Sequence, residues 1–370
     1  MNQISKILNK LTDEFEDLLC EDVIRNEISL VMQYNCIASD IVGEDYENSL
    51  NSFDEKLLEQ SLKICLSRLS TLFKQQKIKM NKNICILIRN DMSHNALATS
   101  YSYSGKKYDV LIFNLGTLEK INEITSLYTE NRGKNINFSI GMFCFIFFHE
   151  IGHRYNGHQG IDRSTMKDSE LTMFKRMIEW DADSFSATQL SSIFFEMSIK
   201  KGTVKTFNEN LTILIYIFIL SFMMNESKEA FITHESVKSM NYLPSQFRTI
   251  ECVGVMDEVM INMIRNGRNL FPTELYSEFL MGSITEEGFL LNYVKNIPEM
   301  TDAFFGEITR NIKKDVRFKD KFLKINDLKE FEIFKVKESY SILEEVRITY
   351  SKYYLCLKKY AKLDLANPIK

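Results

Sequence analysis

The chain is poor in the residues that punctuate or staple a fold. Only four prolines and one tryptophan occur in 370 residues, and no repeat or low-complexity tract is visible. Domain boundaries therefore have to be sought in changes of hydrophobic periodicity. The seven cysteines (Cys20, Cys36, Cys65, Cys85, Cys144, Cys252 and Cys356) are odd in number and never form a CxxC pair. That spacing argues against a disulfide framework and against a thiolate zinc site, and leaves reduced core thiols. Charge of one sign is also lacking: the formal net charge is -4, which gives no footprint for nucleic acid.

Long apolar runs are scarce as well. The N-terminal stretch MNQISKILNKLTDEFEDLL has no signal-peptide core; Ile4, Ile7, Leu8, Leu11, Phe15 and Leu18 recur at helical spacing instead. A cytoplasmic location is the expectation. Leu211 to Met224, LTILIYIFILSFMM, is uncharged, but as a helix it spans only about 21 Å against roughly 30 Å of bilayer hydrocarbon. A buried core helix is the reading, with membrane association through residues 211–224 as the alternative.

What is present is ordinary globular composition, 45% apolar and 26% charged, enough to bury one large core or two moderate ones. Residues 1–80 read as helical, with Leu58, Leu62, Cys65, Leu69, Leu72 and Phe73 on one stripe. The pattern then changes. NICILIRN has strand propensity, and in NALATSYSYSGKKYDVLIFN the Ser104-Gly105-Lys106-Lys107 stretch reads as a turn between two strands. LGTLEKINEI is expected to be a helix, followed by a polar connection around TENRGKN. INFSIGMFCFIFFHEIGHRYNGH begins so apolar that a helix there must be surrounded by protein. From about Glu251 the pattern is helical again, broken at Gly267, Pro272 and Pro298, and Val336 to Tyr360 suggests a long amphipathic helix available to its own core or to a partner protein. The expected fold class is α+β, mostly helical, with a small mixed sheet. Its three parts are a helical region 1–80, a central domain 81–250 that holds the sheet, and a helical region 251–370.

Histidine is scarce, with five in the chain, yet three fall in FFHEIGHRYNGH, Phe147 to His158. His149 and His153 flank Glu150 as HExxH, which on a helix puts both imidazoles on one face, one turn apart, where one divalent ion can bridge them. An HExxH should arise in about half a percent of shuffled chains with so few histidines. Zinc in a hydrolytic site takes three protein ligands and keeps a position for water. The expected third ligand is Glu179, 26 residues beyond His153, with His158 as the alternative. The metzincin pattern HExxHxxGxxH does not fit, because Gly157 and His158 lie at plus eight and plus nine from His149 rather than plus seven and plus ten. Glu179 and Asp183 are four apart and share a helix face, so one can bind metal while the other accepts the free ring N–H of a ligand histidine. Trp180 is expected in the core, covering the metal helix, and His94 is read as structural.

With HExxH followed by Glu179-Trp180-Asp181-Ala182-Asp183, the chain resembles the gluzincin zinc metallopeptidases with an HExxH and ExxAD pair. The likeness spans about residues 90–190. NALAT, Asn95-Ala96-Leu97-Ala98-Thr99, resembles the edge strand above the metal in the CAAX prenyl proteases and their soluble relatives, and VLIFNLGTLEKI resembles the strand and helix before their HExxH. EWDADSFSA is closer to the ImmA/IrrE-type bacterial peptidases, and Lit-type phage-exclusion peptidases are a further resemblance. YLPSQFR is similar to a stretch that supplies a transition-state group in some relatives, with Tyr242 where a histidine is expected.

The resemblance implies a zincin-like core, a bound Zn2+ and hydrolysis of a peptide bond in a protein substrate, in the regulation or phage defence of a bacterium. Glu150 would be the general base and His234, Tyr242 or Arg248 the oxyanion-stabilising group. An extended substrate would add to the edge strand. The alternative is a non-catalytic module in which zinc staples helices that bind a partner protein.

Overall fold

The computed structural model describes residues 3–35, 52–128, 132–201, 210, 213–218, 220–222, 243, 245–266 and 336–368. The fold is α+β and mostly helical, with one small mixed sheet. The chain divides into two compact units. One comprises Met1–Glu123, Ser139–Ile161 and Cys356–Ala366; the other comprises Ile124–Phe138, Asp162–Leu355 and Asn367–Lys370.

The first unit opens with three helices, α1 (Gln3–Glu14), α2 (Asp22–Asn35) and α3 (Ser52–Gln75). In α3 the stripe read from the sequence is the buried face: Leu58, Leu62, Cys65, Leu69, Leu72 and Phe73 are all in the core. Three strands follow, β1 (Ile84–Arg89), β2 (Ala96–Tyr103) and β3 (Lys106–Asn114), in the order β1-β3-β2, with β1 parallel and β2 antiparallel to the central β3. Ser104 and Gly105 both have positive φ, 49° and 76°, the backbone a two-residue hairpin needs to match the twist of its strands.

Helix α4 (Leu115–Tyr128) starts directly from β3, and α5 (Arg132–Tyr155) carries the HExxH residues. Along α5, Met142, Phe143, Cys144, Phe145, Phe147, Phe148 and Ile151 are buried, as an apolar helix inside a core must be. Phe113 of β3 meets it ring to ring, 5.1 Å from Phe143 and 6.0 Å from Phe147. This packing of aromatic faces fixes the height of α5 over the sheet.

Asp109, in the middle of β3 and buried, ties the end of α5 to that strand. Its Oδ1 accepts from Arg154 Nε at 2.6 Å, and its Oδ2 from the Tyr155 hydroxyl at 2.7 Å, Lys362 Nζ at 2.7 Å and Asn83 Nδ2 at 3.0 Å. A buried carboxylate is tolerable only when so paired. Burial, with Asp109 beside it, holds the Tyr155 hydroxyl well above its ordinary pKa. The segment Cys356–Ala366 closes this unit: the Lys362 amide donates to Tyr155 O at 2.7 Å and the Asp364 amide to Gln76 Oε1 at 2.9 Å.

The second unit is helical in its described parts. It contains α6 (Asp168–Lys201), helical residues 213–218 and 220–222, α7 (Ser245–Asn266), and α8 (Val336–Tyr360) up to Leu355. Leu214, Ile215, Ile217, Phe218, Leu220 and Phe222 are buried, in line with a core helix over that uncharged run. No helix among the described residues is long and apolar enough to cross a membrane. The long C-terminal helix expected from the sequence is α8, with Leu343, Val346 and Tyr350 turned inward and Ile348 and Leu355 exposed.

Candidate metal centre

Within the first unit, α5 delivers His149, Glu150 and His153 on its last two turns. His149 Nε2 and His153 Nε2 lie 3.0 Å apart, with the two rings edge to face at 4.6 Å between centroids. Two nitrogens each about 2.0–2.1 Å from one tetrahedral zinc would be about 3.3 Å apart, so the pair is already spaced as two ligands of one ion. Both imidazoles and Glu150 are half-buried.

Beyond His153 the helix ends at Gly157, whose φ of 86° is left-handed. A Cβ there would sit 2.4 Å from Leu357 O, so both the backbone conformation and the close approach of the Cys356–Ala366 segment require glycine. The chain then forms a short 3-10 turn, His158–Gly160. The turn carries His158 back into the interior, where it is 1% exposed, with its Nδ1 3.0 Å from His153 Nδ1. His158 meets His153 at the ring nitrogen opposite the one that faces His149.

Asn95 to Thr99 lies at the rim of the sheet, β2 having a neighbour only in β3 among the described residues. The Asn114 amide donates to Asn95 O at 3.1 Å. This sets the parity of the ladder, so Leu97 and Thr99 turn their backbone groups toward β3, while Ala96 and Ala98 turn theirs outward. Ala98 O is taken: Gln159 Nε2 donates to it at 2.7 Å. Asn95 is fixed by Thr117, whose Oγ1 accepts from its amide at 3.0 Å and donates to its carbonyl at 2.7 Å.

In the second unit, Glu179 and Asp183 stand one turn apart on α6. Arg248 of α7 is buried and donates to both oxygens of Asp183, from Nε at 2.6 Å and Nη2 at 2.8 Å. Its Nη2 is also 3.8 Å from Glu179 Oε2, and its guanidinium lies 4.6 Å from the centre of the Phe222 ring. Burial works against the charge on Arg248, but the Asp183 carboxylate outweighs it and holds the guanidinium above its ordinary pKa. Trp180 is only half-buried; its indole N–H donates to Glu251 at 2.9 Å and its ring meets Tyr350 edge to face. His94 is described and half-buried, whereas His234 and Tyr242 lie outside the described residues.

His149 and His153 on α5 and Glu179 on α6 are the side chains among the described residues whose donor set could hold a metal ion. Two imidazoles and a carboxylate are a donor set suited to zinc. The contacts that the sequence did not announce are those of His158, Gln159 and Asp109. Only His158 carried a signal, through its closeness to HExxH.

No protein-family model, no curated protein and no solved structure matches the chain.

Proposed function

We propose that the protein is a zinc-dependent endopeptidase of the gluzincin kind acting on an extended segment of a protein substrate in the cytoplasm. His149, His153 and Glu179 are the metal ligands. The observation that carries the reading is the 3.0 Å approach of two imidazole Nε2 atoms on one helix, with a glutamate directly after the first. The six described cysteines are free thiols, which fits a reducing compartment.

A zinc ion bound there would lower the pKa of a water to about 7 and polarise the scissile carbonyl. Glu150 takes a proton from the attacking water and delivers it to the leaving amine. The outward backbone groups of Ala96, and those of Ser100 and Ser102 in the same parity, receive the substrate as an added strand. Arg248, held by Asp183 and close to Glu179, orients the α6 carboxylates; the oxyanion group is then His234 or Tyr242.

The test is Glu150→Gln. Zinc content should stay at the wild-type level while cleavage, read as new N-termini in cells expressing wild type against variant, falls about 10²–10⁴-fold. Unchanged cleavage would reject Glu150 as the base, and an absence of zinc from the wild type would reject the metal site.

A further inference from the structure

We propose that His158 is a positioning residue for the metal: it accepts the Nδ1–H of His153 and thereby fixes which nitrogen of His153 is offered to the ion. The inference rests on the zinc reading above and deepens it. A ligand histidine has to present an unprotonated nitrogen, and the hydrogen bond made by its other nitrogen selects that tautomer and raises its basicity.

The geometry assigns the two roles. His153 Nε2 faces His149 Nε2 at 3.0 Å, and His153 Nδ1 faces His158 Nδ1 at 3.0 Å, so His158 stands behind His153 with respect to the candidate ion. The Nδ1 pair lies on the side away from the candidate ion, so its 3.0 Å contact is a hydrogen bond carrying one proton. With Nε2 of His153 kept as a lone pair, the shared proton sits on His153 Nδ1, and His158 is the tautomer protonated at Nε2. The rings cross at 71°, with centroids 5.1 Å apart.

The placement of His158 is built in. The left-handed Gly157 and the 3-10 turn reverse the chain directly after α5, and the Gly160 amide closes the turn on Gly157 O at 3.0 Å. Leu357 O and the Tyr360 ring press on Gly157 and Gly160, where a Cβ would fall 2.4 and 2.3 Å from them. The turn therefore has one way to sit, and that way puts an imidazole, 1% exposed, against the outer nitrogen of a candidate ligand.

The experiment measures zinc affinity of the full chain by competition with a chromophoric chelator, for wild type and for His158→Leu, His158→Asn and His158→Gln. Melting of the chelator-treated proteins reports the fold separately. His158→Leu should bind zinc 10–100-fold more weakly. His158→Asn, which keeps an acceptor at the position of Nδ1, should recover most of the loss, and His158→Gln, whose acceptor lies one bond further out, should not. Unaltered affinity in His158→Leu overturns the proposal, as does loss of binding as complete as in His149→Ala with no rescue by asparagine, which would make His158 a ligand. Where His158→Leu fails to fold, equal affinities of the asparagine and glutamine variants overturn it. A wild type that takes up no zinc overturns the parent reading instead.

Discussion

Replacing Asp109 by asparagine removes one charge from the most crowded polar point of the first unit. The change keeps the volume, so the effect is electrostatic. Four donors from Arg154, Tyr155, Lys362 and Asn83 converge on the carboxylate, which is 2% exposed. Lys362, 38% exposed, can turn into water, and its loss costs at most about 1 kcal/mol. Arg154, 8% exposed, cannot escape. A guanidinium left buried without its carboxylate destabilises by about 3–5 kcal/mol, which is the dominant effect. With an m-value of about 2–3 kcal/mol/M, the urea midpoint followed by far-UV circular dichroism should fall by roughly 1–2 M. Adding Arg154→Met to Asp109→Leu should recover much of the loss, because an apolar pair leaves no stranded charge. Zinc affinity should fall in the single variant too, since Arg154 and Tyr155 directly follow His153. A midpoint shift below about 0.3 M at unchanged m would refute the burial and pairing of Asp109.

Gly157→Ala should lower stability by about 1–2 kcal/mol for the left-handed backbone alone, and by more because Leu357 O stands 2.4 Å from the new Cβ, read as a drop in melting temperature. Arg248→Met should cost about 3–5 kcal/mol by leaving the Asp183 carboxylate buried without its partner, with a unit-sized loss of helix signal on mild urea treatment. Tyr350 is held above its ordinary pKa, first by burial and then by Asp181. A group with a raised folded-state pKa contributes stability that is complete below its unfolded value, about 10, and is lost as pH climbs through the folded value. Stability should therefore fall above about pH 10, and Tyr350→Phe should flatten that alkaline limb.

The elements that were legible in the sequence are those whose signal is local. The α3 stripe, the Ser104-Gly105 turn and the all-round apolar α5 each follow from a period or a backbone preference within a few residues. HExxH was legible for the same reason, since two histidines four apart share a helix face whatever the rest of the chain does. Asp109 was not. In KKYDVLIFN it reads as an acid near the start of a strand, and nothing nearby marks it as the partner of Arg154 and Lys362. The parity that turns Ala98 O outward, and its capture by Gln159, depend on a register no single strand specifies. The pairing of Arg248 with Asp183 was also hidden, because YLPSQFR shows only that an arginine opens a helix, not which carboxylate awaits it.

The closing of the first unit by Cys356–Ala366 sets an order of events on the ribosome. Asp109 leaves the exit tunnel long before Lys362 does, and the Gly157 turn long before the backbone of Leu357 that presses on it. Loop closure over such a separation is slow. A nascent chain thus carries its histidines with the brace behind them still missing, and the proposed scissors are assembled only once synthesis has passed Lys362.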